Sequence, residues 1–293
     1  MNLTFQSIIA KLHTFWQEQG CLITHPYDME KGSATLSPYT FLRSLGPEPW
    51  AVAYLDPCRR PIDSRYAKDK TDRYQWYYQY QVLIKPAIAE PQEVVLKSLA
   101  TLGVTREKHE IEFIDDLSES PVFGAKLRGW EVWLDGAEIT QISYLDQVGG
   151  IDCDPLPLEV AYGLERLSLK VQGIDSFDQI QWDDHVTYGE LYKQAEFEQS
   201  VYNCESSSLG VLQNLLSLYL QETECQLQKE LVYPSLDYLL KCSHTLNLLE
   251  ARKAISKEDL DKLVTKTRNL ATCIGKLYIK KRGALGFPLL KNT

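Results

Sequence analysis

The chain has little basic charge and lacks the signals of membrane and secreted proteins. Its 293 residues include 31 Lys and Arg against 40 Asp and Glu, for a formal charge of −9. A protein that binds nucleic acid unaided usually carries a basic surface, so this balance argues against one. No apolar run approaches the ~20 residues that span a bilayer, and the N-terminus has no basic start followed by a long apolar block. We therefore expect a cytoplasmic protein with no membrane role.

Cysteine and histidine are present, but not in the patterns that bind metals. The seven cysteines are odd in number, widely spread, and form no Cys-x-x-Cys pair. This distribution indicates reduced thiols rather than a disulfide framework. The five histidines include no His-x-x-x-His pair, so a structural zinc site is not expected.

One short segment departs from the acidic balance. Its cationic side chains are Arg59, Arg60, Arg65, Lys68, Lys70 and Arg73, against Asp63, Asp69 and Asp72. The run that follows, 74–85, alternates glutamines with aromatic residues. Arginine binds phosphate through paired hydrogen bonds, and an aromatic face can stack on a base. The segment predicts a surface for a phosphate-rich ligand with a flat ring, and a solvated charged hairpin is the alternative.

Apolar periodicity in the first 175 residues predicts a mixture of helices and strands. An amphipathic helix ends at Gly20, and a second helix is predicted over 92–102. Asp135-Gly136 predicts a tight hairpin turn. A further helix starts near Gly163. The predicted strands are 21–24, 50–56, 74–85, the two arms of a hairpin over 130–143, and 158–163.

Beyond about residue 175, long helical patterns replace the alternation. We predict helices over 208–230 and 234–249, the second with Pro234 in its first turn. Ser256 with Asp259 is predicted to cap a third. The fold class is therefore α+β, with domains over 1–175 and 176–293.

Three separated elements occur in a specific order: helix–strand–proline, strand–arginine loop–strand, and strand–Gly-Leu-Glu-Arg–helix. In that order they resemble motifs one, two and three of class II aminoacyl-tRNA synthetases. Longer phrases resemble the alpha subunit of bacterial heterotetrameric glycyl-tRNA synthetase: LGPEPWAVAYLDPCRRP, YYQYQVLIKP, GWEVWLDGAEITQ, QVGGIDCDP, YGLERL, EFEQSVYN, NLLEARKAIS and ALGFP. The resemblance covers nearly the whole chain. It implies an antiparallel sheet flanked by helices, followed by an all-helical C-terminal domain.

The resemblance implies ATP-dependent activation of glycine to glycyl-adenylate and transfer to tRNA(Gly). Activation depends mainly on positioning the reactants and neutralising charge. The implied partners are a second alpha subunit, met near the motif-one proline Pro26, and a beta subunit that recognises much of the tRNA in a two-alpha, two-beta complex. Two alternatives are an adenylate-forming amide ligase that acts on a small amine and an inactive regulatory paralogue with the same fold.

By the same resemblance, arginines hold the ATP. Arg60 is expected on the α-phosphate, with its neighbour Arg59 as the alternative. Arg166 is expected over the adenine and on the γ-phosphate. Arg65 and Arg73 are implied as further phosphate or adenine contacts, with solvent-exposed charge as the other interpretation of both.

The predicted catalytic set is Arg60, Arg166 and Glu138. Glu138 is the implied Mg²⁺-linked carboxylate, since a hard cation bound to phosphates prefers oxygen ligands. Gln141 is expected to share this site. Simple alternation puts residues 138 and 141 on opposite faces, so their joint use requires a bulge or a twist. Gly163 would let the backbone approach the ATP closely.

Alternation along 74–85 separates two sets of side chains. One set is Gln75, Tyr77, Gln79 and Gln81, and the other is Trp76, Tyr78, Tyr80 and Val82. The family pattern, an aromatic on the adenine followed at two-residue steps by polar groups, favours Tyr77 for the adenine. Gln79 and Gln81 are then amino-acid contacts. A bulge would replace Tyr77 by Tyr78.

Acidic and hydroxyl side chains complete the predicted glycine site. Glu131 and Thr140 are expected to face each other across the Asp-Gly hairpin and to share the face of Glu138. Together with Glu159, they are candidates for holding the substrate ammonium group.

Overall fold

The sheet and helices are taken from a computed structural model, which describes residues 3–68, 73–120 and 122–292. Asp69, Lys70 and Asp72 of the basic segment lie outside the described residues. The strands are β1 (Leu22–Ile23), β2 (Trp50–Arg59), β3 (Trp76–Lys85), β4 (Ile111–Ser120), β5 (Ala125–Leu134), β6 (Ala137–Val148), β7 (Ile151–Asp152) and β8 (Leu158–Gly163). The α-helices are α1 (Phe5–Glu18), α2 (Pro91–Thr101), α3 (Leu164–Gln172), α4 (Tyr188–Val201), α5 (Leu209–Gln228), α6 (Val232–Ala251) and α7 (Lys257–Ala284).

The strands form one mixed but mainly antiparallel sheet. Their order is β1-β2-β3-β8-β6-β5-β4, and β7 pairs with β6. β1 runs parallel to β2, and the other pairings are antiparallel. Asp135 and Gly136 turn between β5 and β6 with φ of 47° and 77°, as a two-residue hairpin requires. The predicted α+β fold class is confirmed.

Hydrophobic cores lie on both faces of the sheet. One core packs Val82, Val160 and Tyr162 against α1, α2 and α3. The other packs Val52, Tyr54 and Leu83 against α5, α6 and α7. The helical part of the chain therefore lies directly against the strands that carry the predicted site, and the boundary at residue 175 stays a prediction.

Most helices lie where the sequence predicted them, and local capping residues mark their starts. The Ser256 side chain accepts a hydrogen bond from the Asp259 amide at the start of α7, and Pro234 lies in the first turn of α6. α4 was not predicted, although Thr187 and Glu190 form a capping box at its start. In the described ranges, every helix is too short or too polar to span a bilayer.

A buried ion pair fixes the segment after β1 against the sheet. Lys31 Nζ lies 2.8 Å from Asp56 Oδ1 on β2, and neither side chain is exposed. Lys31 also donates to the carbonyl oxygens of Tyr27 and Met29, at 2.8 and 3.1 Å. Burial raises the pKa of Asp56 to about 7 against the opposing effect of Lys31. Residues 27–32 are thereby held beside the hairpin that carries the basic segment.

We expect Lys31→Met to lower the free energy of unfolding by about 3–5 kcal/mol, because Asp56 would stay buried without its partner. Urea unfolding at pH 8 measures the change. Adding Asp56→Asn should recover most of the loss, and the double-mutant cycle gives the coupling energy. A single variant that unfolds within about 1 kcal/mol of the wild type would show that the pair adds little to stability.

Candidate active site

A cleft opens where β3, β6 and β8 meet the start of α3. The predicted residues that line it are Arg60, Arg73, Tyr77, Gln79, Glu138, Thr140, Gln141, Gly163 and Arg166. They come from three separated parts of the chain, which the sheet order brings together. The predicted residues outside the lining are Arg65, Gln81, Glu131 and Glu159.

Strand β3 presents Tyr77, not Tyr78, to the cleft. The Arg60 guanidinium carbon lies 5.1 Å from the centre of the Tyr77 ring. Arg60 Nε and Tyr77 Oη both donate to the Gly32 carbonyl, at 2.7 and 2.9 Å. Tyr78 lies on the opposite face, with its hydroxyl 2.8 Å from that of Tyr192. The β2–β3 register is unbroken, so no bulge exchanges the two tyrosines.

The other basic side chains of this hairpin point in different directions. Arg73 lines the cleft, with Nη1 3.0 Å from Asp63 Oδ1. Arg65 lies outside it and donates to the Ser64 carbonyl at 2.9 Å. Arg59 pairs with Glu30 at 2.9 Å. Of the adjacent arginines 59 and 60, the second therefore faces the cleft.

A β-bulge at Ile139 brings Glu138 and Gln141 to one face. Across β5–β6, Trp133 pairs with Glu138, Val132 with Thr140, and Glu131 with Gln141, which leaves Ile139 as the extra residue. The bulge that joint use of 138 and 141 required is present.

The expectation that Thr140 faces Glu131 and shares the face of Glu138 was wrong. Thr140 pairs with Val132 on one side and Tyr162 on the other, both in the core with α1. Its side chain is 1% exposed. The extra residue shifts the register by one, so Glu131 faces Gln141 instead.

Arg166 and Glu138 form an ion pair beside the cleft. Arg166 Nη1 lies 3.2 Å from Glu138 Oε2, and each side chain is 28% exposed. Burial and the Glu131 carboxylate raise the pKa of Glu138, against the opposing effects of Arg166 and Arg60. Trp133 Nε1 donates to Glu131 at 2.8 Å and holds the second carboxylate in place. Two neighbouring carboxylates, one in the lining and one outside it, favour a cation between them.

The donor atoms on this face of β5 and β6 suit a magnesium ion. Glu138, Glu131 and Gln141 offer oxygen, and Mg²⁺ is usually bound by one or two carboxylates together with substrate phosphates. The donor set is the observation that favours the fit: Glu138 is half-buried beside a second carboxylate, and burial followed by Glu131 raises its pKa, so a cation here would offset both effects.

A buried carboxylate lies behind Gln79, deeper than the cleft lining. Glu159 is 3% exposed. It accepts hydrogen bonds from Thr35 Oγ1, at 2.6 Å, and from Gln81 Nε2. Burial raises its pKa, and these two bonds oppose the shift. Both donors are neutral, so the negative charge of Glu159 is solvated but not neutralised by them.

The short 3₁₀ turn Ala34–Leu36 covers this inner region. The Ala34 amide donates to Gln79 Oε1 at 2.9 Å, and Thr35 bonds Glu159. Thr35 was not predicted from the sequence, because it lies in a Gly/Ser/Pro-rich connection without periodicity and its partner is 124 residues away.

Gly163 lines the cleft at the junction of β8 and α3. Its φ of −81° is accessible to any residue. A Cβ atom there would lie 3.6 Å from the Ile139 carbonyl oxygen, an ordinary contact. Neither backbone conformation nor packing in the chain itself requires glycine, which leaves close approach of a ligand as its predicted use.

Glu165 is a second residue of the site that was not predicted from the sequence. It is 2% exposed, and Oε1 accepts from the Tyr78 amide and from the Tyr188 hydroxyl, both at 2.8 Å. Strand β8 ends at Gly163, which pairs with Gln79. Beyond that point the Glu165 carboxylate, instead of a backbone carbonyl, accepts the hydrogen bond of the next β3 amide, that of Tyr78. It ties the start of α3, and with it Arg166, to β3 and α4.

We expect Glu165→Gln to change the pH dependence of stability. Burial raises the pKa of Glu165 from the ordinary 4.5 to about 7. The folded state therefore holds this proton more tightly, and the stabilisation is present below pH 4.5 and lost as pH rises to about 7. Between those limits the wild type should lose up to about 3 kcal/mol relative to the glutamine variant. Urea unfolding at pH 5 and 7.5 measures the difference.

The exposed Glu198 on α4 supplies the control for this prediction. Glu198→Gln should keep the wild-type slope of stability against pH. Parallel slopes for Glu165→Gln and the wild type would refute the raised pKa.

The fold and the cleft together define a class. A mainly antiparallel sheet flanked by helices, with Arg60, Glu138 and Arg166 at one cleft, fits the class II aminoacyl-tRNA synthetases that the sequence resembles. The family model described as glycyl-tRNA synthetase alpha subunit matches residues 5–283. The chain belongs to this family, and the resemblance found in its sequence is confirmed.

Two solved structures of pyrrolysyl-tRNA synthetase from Desulfitobacterium hafniense are similar to the chain at low identity. One is 12% identical with a TM-score of 0.44, over 63% of this chain and 72% of that one. The other is 14% identical with a TM-score of 0.42, over 63% and 75%.

Proposed function

We propose that the chain is the catalytic alpha subunit of a glycine–tRNA ligase, which activates glycine with ATP and then passes it to tRNA(Gly). One observation carries the proposal: Arg60, Glu138 and Arg166 converge on one cleft, next to the buried Glu159 carboxylate. Two guanidinium groups suit a triphosphate, and an inner carboxylate suits a small ammonium group.

In this proposal Arg60 holds the α-phosphate and Tyr77 lies against the adenine. Arg166 exchanges Glu138 for a γ-phosphate oxygen, which makes the Glu138 carboxylate available to the cation that accompanies ATP. Glu138, with Gln141 and Glu131, would hold that cation. Mg²⁺ supplies neutralisation of phosphate charge when it is bound. The guanidinium groups stabilise the charge that develops as pyrophosphate leaves.

Glycine would lie between Gln79 and Glu159, with its ammonium group toward Glu159 and Gln81. Its carboxylate oxygen attacks the α-phosphorus, a new P–O bond forms, and the bond to pyrophosphate breaks with its electron pair on the leaving group. The terminal hydroxyl of the tRNA then attacks the carbonyl carbon, an ester bond forms, and the bond to the α-phosphate breaks. AMP leaves, and the hydroxyl proton is lost to the departing phosphate or to solvent. Thr140 contributes only to the lining of the cleft in this proposal, because its side chain is 1% exposed.

We further propose the assembly that the family implies. Two alpha subunits would meet near Pro26, which is exposed in the single chain, and two beta subunits would supply much of the tRNA recognition. The acidic charge of −9 supports this division of labour. Because charged tRNA serves translation, we place the reaction in the cytoplasm.

The test is glycine-dependent exchange of pyrophosphate into ATP, followed by charging of tRNA(Gly) with the beta subunit present. Exchange with glycine but not with alanine or serine, and then charging, is the expected result. Exchange without charging in the reconstituted complex would favour the amide ligase. No exchange with any amino acid would favour an inactive paralogue.

A further inference from the structure

A second cavity lies behind the β2–β3 hairpin, against α5, α6 and the π-helical turn Tyr202–Ser206. Its volume is about 390 Å³, against about 240 Å³ for the active-site cleft. The two adjoin at the hairpin, because Arg60 lines the cleft and the preceding Arg59 lines this cavity. A ligand here would lie next to the proposed site of chemistry.

A buried ring nitrogen without a partner belongs to the lining of the cavity. Nδ1 of His244, whose side chain is 11% exposed, has no hydrogen-bond partner among the described residues. His244 Nε2 faces Glu30 at 3.6 Å, which leaves Nδ1 to accept a hydrogen bond. Gln75, also in the lining, already accepts from Asn203 and bonds Glu196 through its side chain. Buried polar groups are nearly always paired, so His244 Nδ1 indicates a polar ligand that donates a hydrogen bond.

Cations and aromatic rings line the same cavity. Lys241 Nζ lies 5.8 Å from the centre of the Tyr219 ring, and Arg59 is 32% exposed with Glu30 as its ion-pair partner. Tyr202, also in the lining, is 43% exposed. Two cations against one carboxylate favour a phosphate, and exposed rings suit base stacking.

We propose that this cavity binds a nucleotide of the single-stranded 3′ end of the tRNA while the terminal hydroxyl is in the active-site cleft. The inference rests on the proposed function. A single-stranded RNA end supplies each complementary feature: a phosphate for Lys241 and Arg59, a ring for the tyrosines, and a base edge that donates to His244.

The test uses the complex with the beta subunit and two RNA hairpins, one with a single-stranded 3′ tail and one without. Lys241→Met removes the charge and keeps a side chain of similar length beside the rings of Tyr238 and Tyr219, from whose centres Lys241 Nζ lies 4.4 and 5.8 Å. It should weaken binding of the tailed hairpin by about tenfold and leave the untailed one unchanged. Glycine-dependent pyrophosphate exchange should stay within about twofold of the wild type, and Lys241→Arg should recover binding.

Lys266→Met is the matched control, since Lys266 pairs with Glu224 at 2.9 Å outside the cavity. It removes the same charge and should not affect binding of the tail. A photoreactive nucleotide in the tail should crosslink to the peptide that contains Lys241 or Tyr219.

Several outcomes would overturn the inference. Unchanged affinity of Lys241→Met for the tailed hairpin would do so, as would equal losses in both lysine variants. AMP that occupies the cavity without competition from the tail would indicate a mononucleotide site instead. Wild-type protein without glycine-dependent exchange would refute the proposed function separately.

Discussion

Arg166→Ala is expected to lower the rate of glycine-dependent pyrophosphate exchange by about 10²–10³-fold. The guanidinium group is proposed to stabilise charge on the triphosphate as pyrophosphate leaves, and removing one such donor typically costs about 3–4 kcal/mol. Arg166 contacts Glu138 by an ion pair of 3.2 Å and is 28% exposed, so the fold does not depend on burying it. Steady-state exchange kinetics with varied ATP measure the effect, and thermal unfolding checks the fold.

Lys170→Ala provides the control for this prediction. Lys170 lies one turn further along α3 and donates to the Asp135 carbonyl at 2.9 Å, away from the cleft. The variant removes the same charge from the same helix and should retain exchange within about twofold. Equal exchange rates for the Arg166 variant and the wild type would remove Arg166 from the mechanism.

Glu159→Gln is expected to lower kcat/KM for glycine by about 10²–10³-fold while the KM for ATP is nearly unchanged. Truncating one partner of a buried charge pair costs about 2–5 kcal/mol, and the proposed pair is the Glu159 carboxylate with the ammonium group of glycine. Glutamine keeps the size of the side chain and an acceptor for Thr35. The loss should therefore come from charge rather than from packing.

The pH dependence gives this prediction a second measurement. Burial raises the pKa of Glu159, and the charged form is the one that attracts an ammonium group. The KM for glycine should rise as pH falls through the raised pKa, and this acid limb should be absent in Glu159→Gln. Glu112→Gln, which removes an exposed carboxylate from β4, should behave as the wild type. A Glu159 variant with wild-type glycine kinetics would contradict the assignment of the glycine site.

Strand alternation and turn residues were sufficient to predict much of the site from the sequence. The period of two along 74–85 separated Tyr77 from Tyr78 because β3 is regular throughout its pairing with β2. Asp135-Gly136 located the β5–β6 turn. Strand β4 was not predicted, because it is an edge strand with acidic residues at positions 112, 115, 116 and 119 and an exposed Leu117, so its sequence carries little burial pattern.

Long-range contacts and the strand register could not be predicted from the sequence. Nothing near Glu165 or Thr35 indicates that partners 87 and 124 residues away in the chain will meet them. The need for a bulge followed from the spacing of Glu138 and Gln141. Its position at Ile139 did not, and Thr140 was assigned to the wrong face for that reason.

The spare residue at Ile139 puts the two lengths of strand β6 out of phase. Between it and the turn, side chains alternate in the opposite sense to those beyond it. Suppose that the β5–β6 hairpin end were replaced by one from another protein that lacks the bulge residue. The carboxylate at position 138 would then point into the hydrophobic core. Burying an unpaired charge in the core is costly. The hairpin end can therefore be exchanged between proteins only together with its bulge residue.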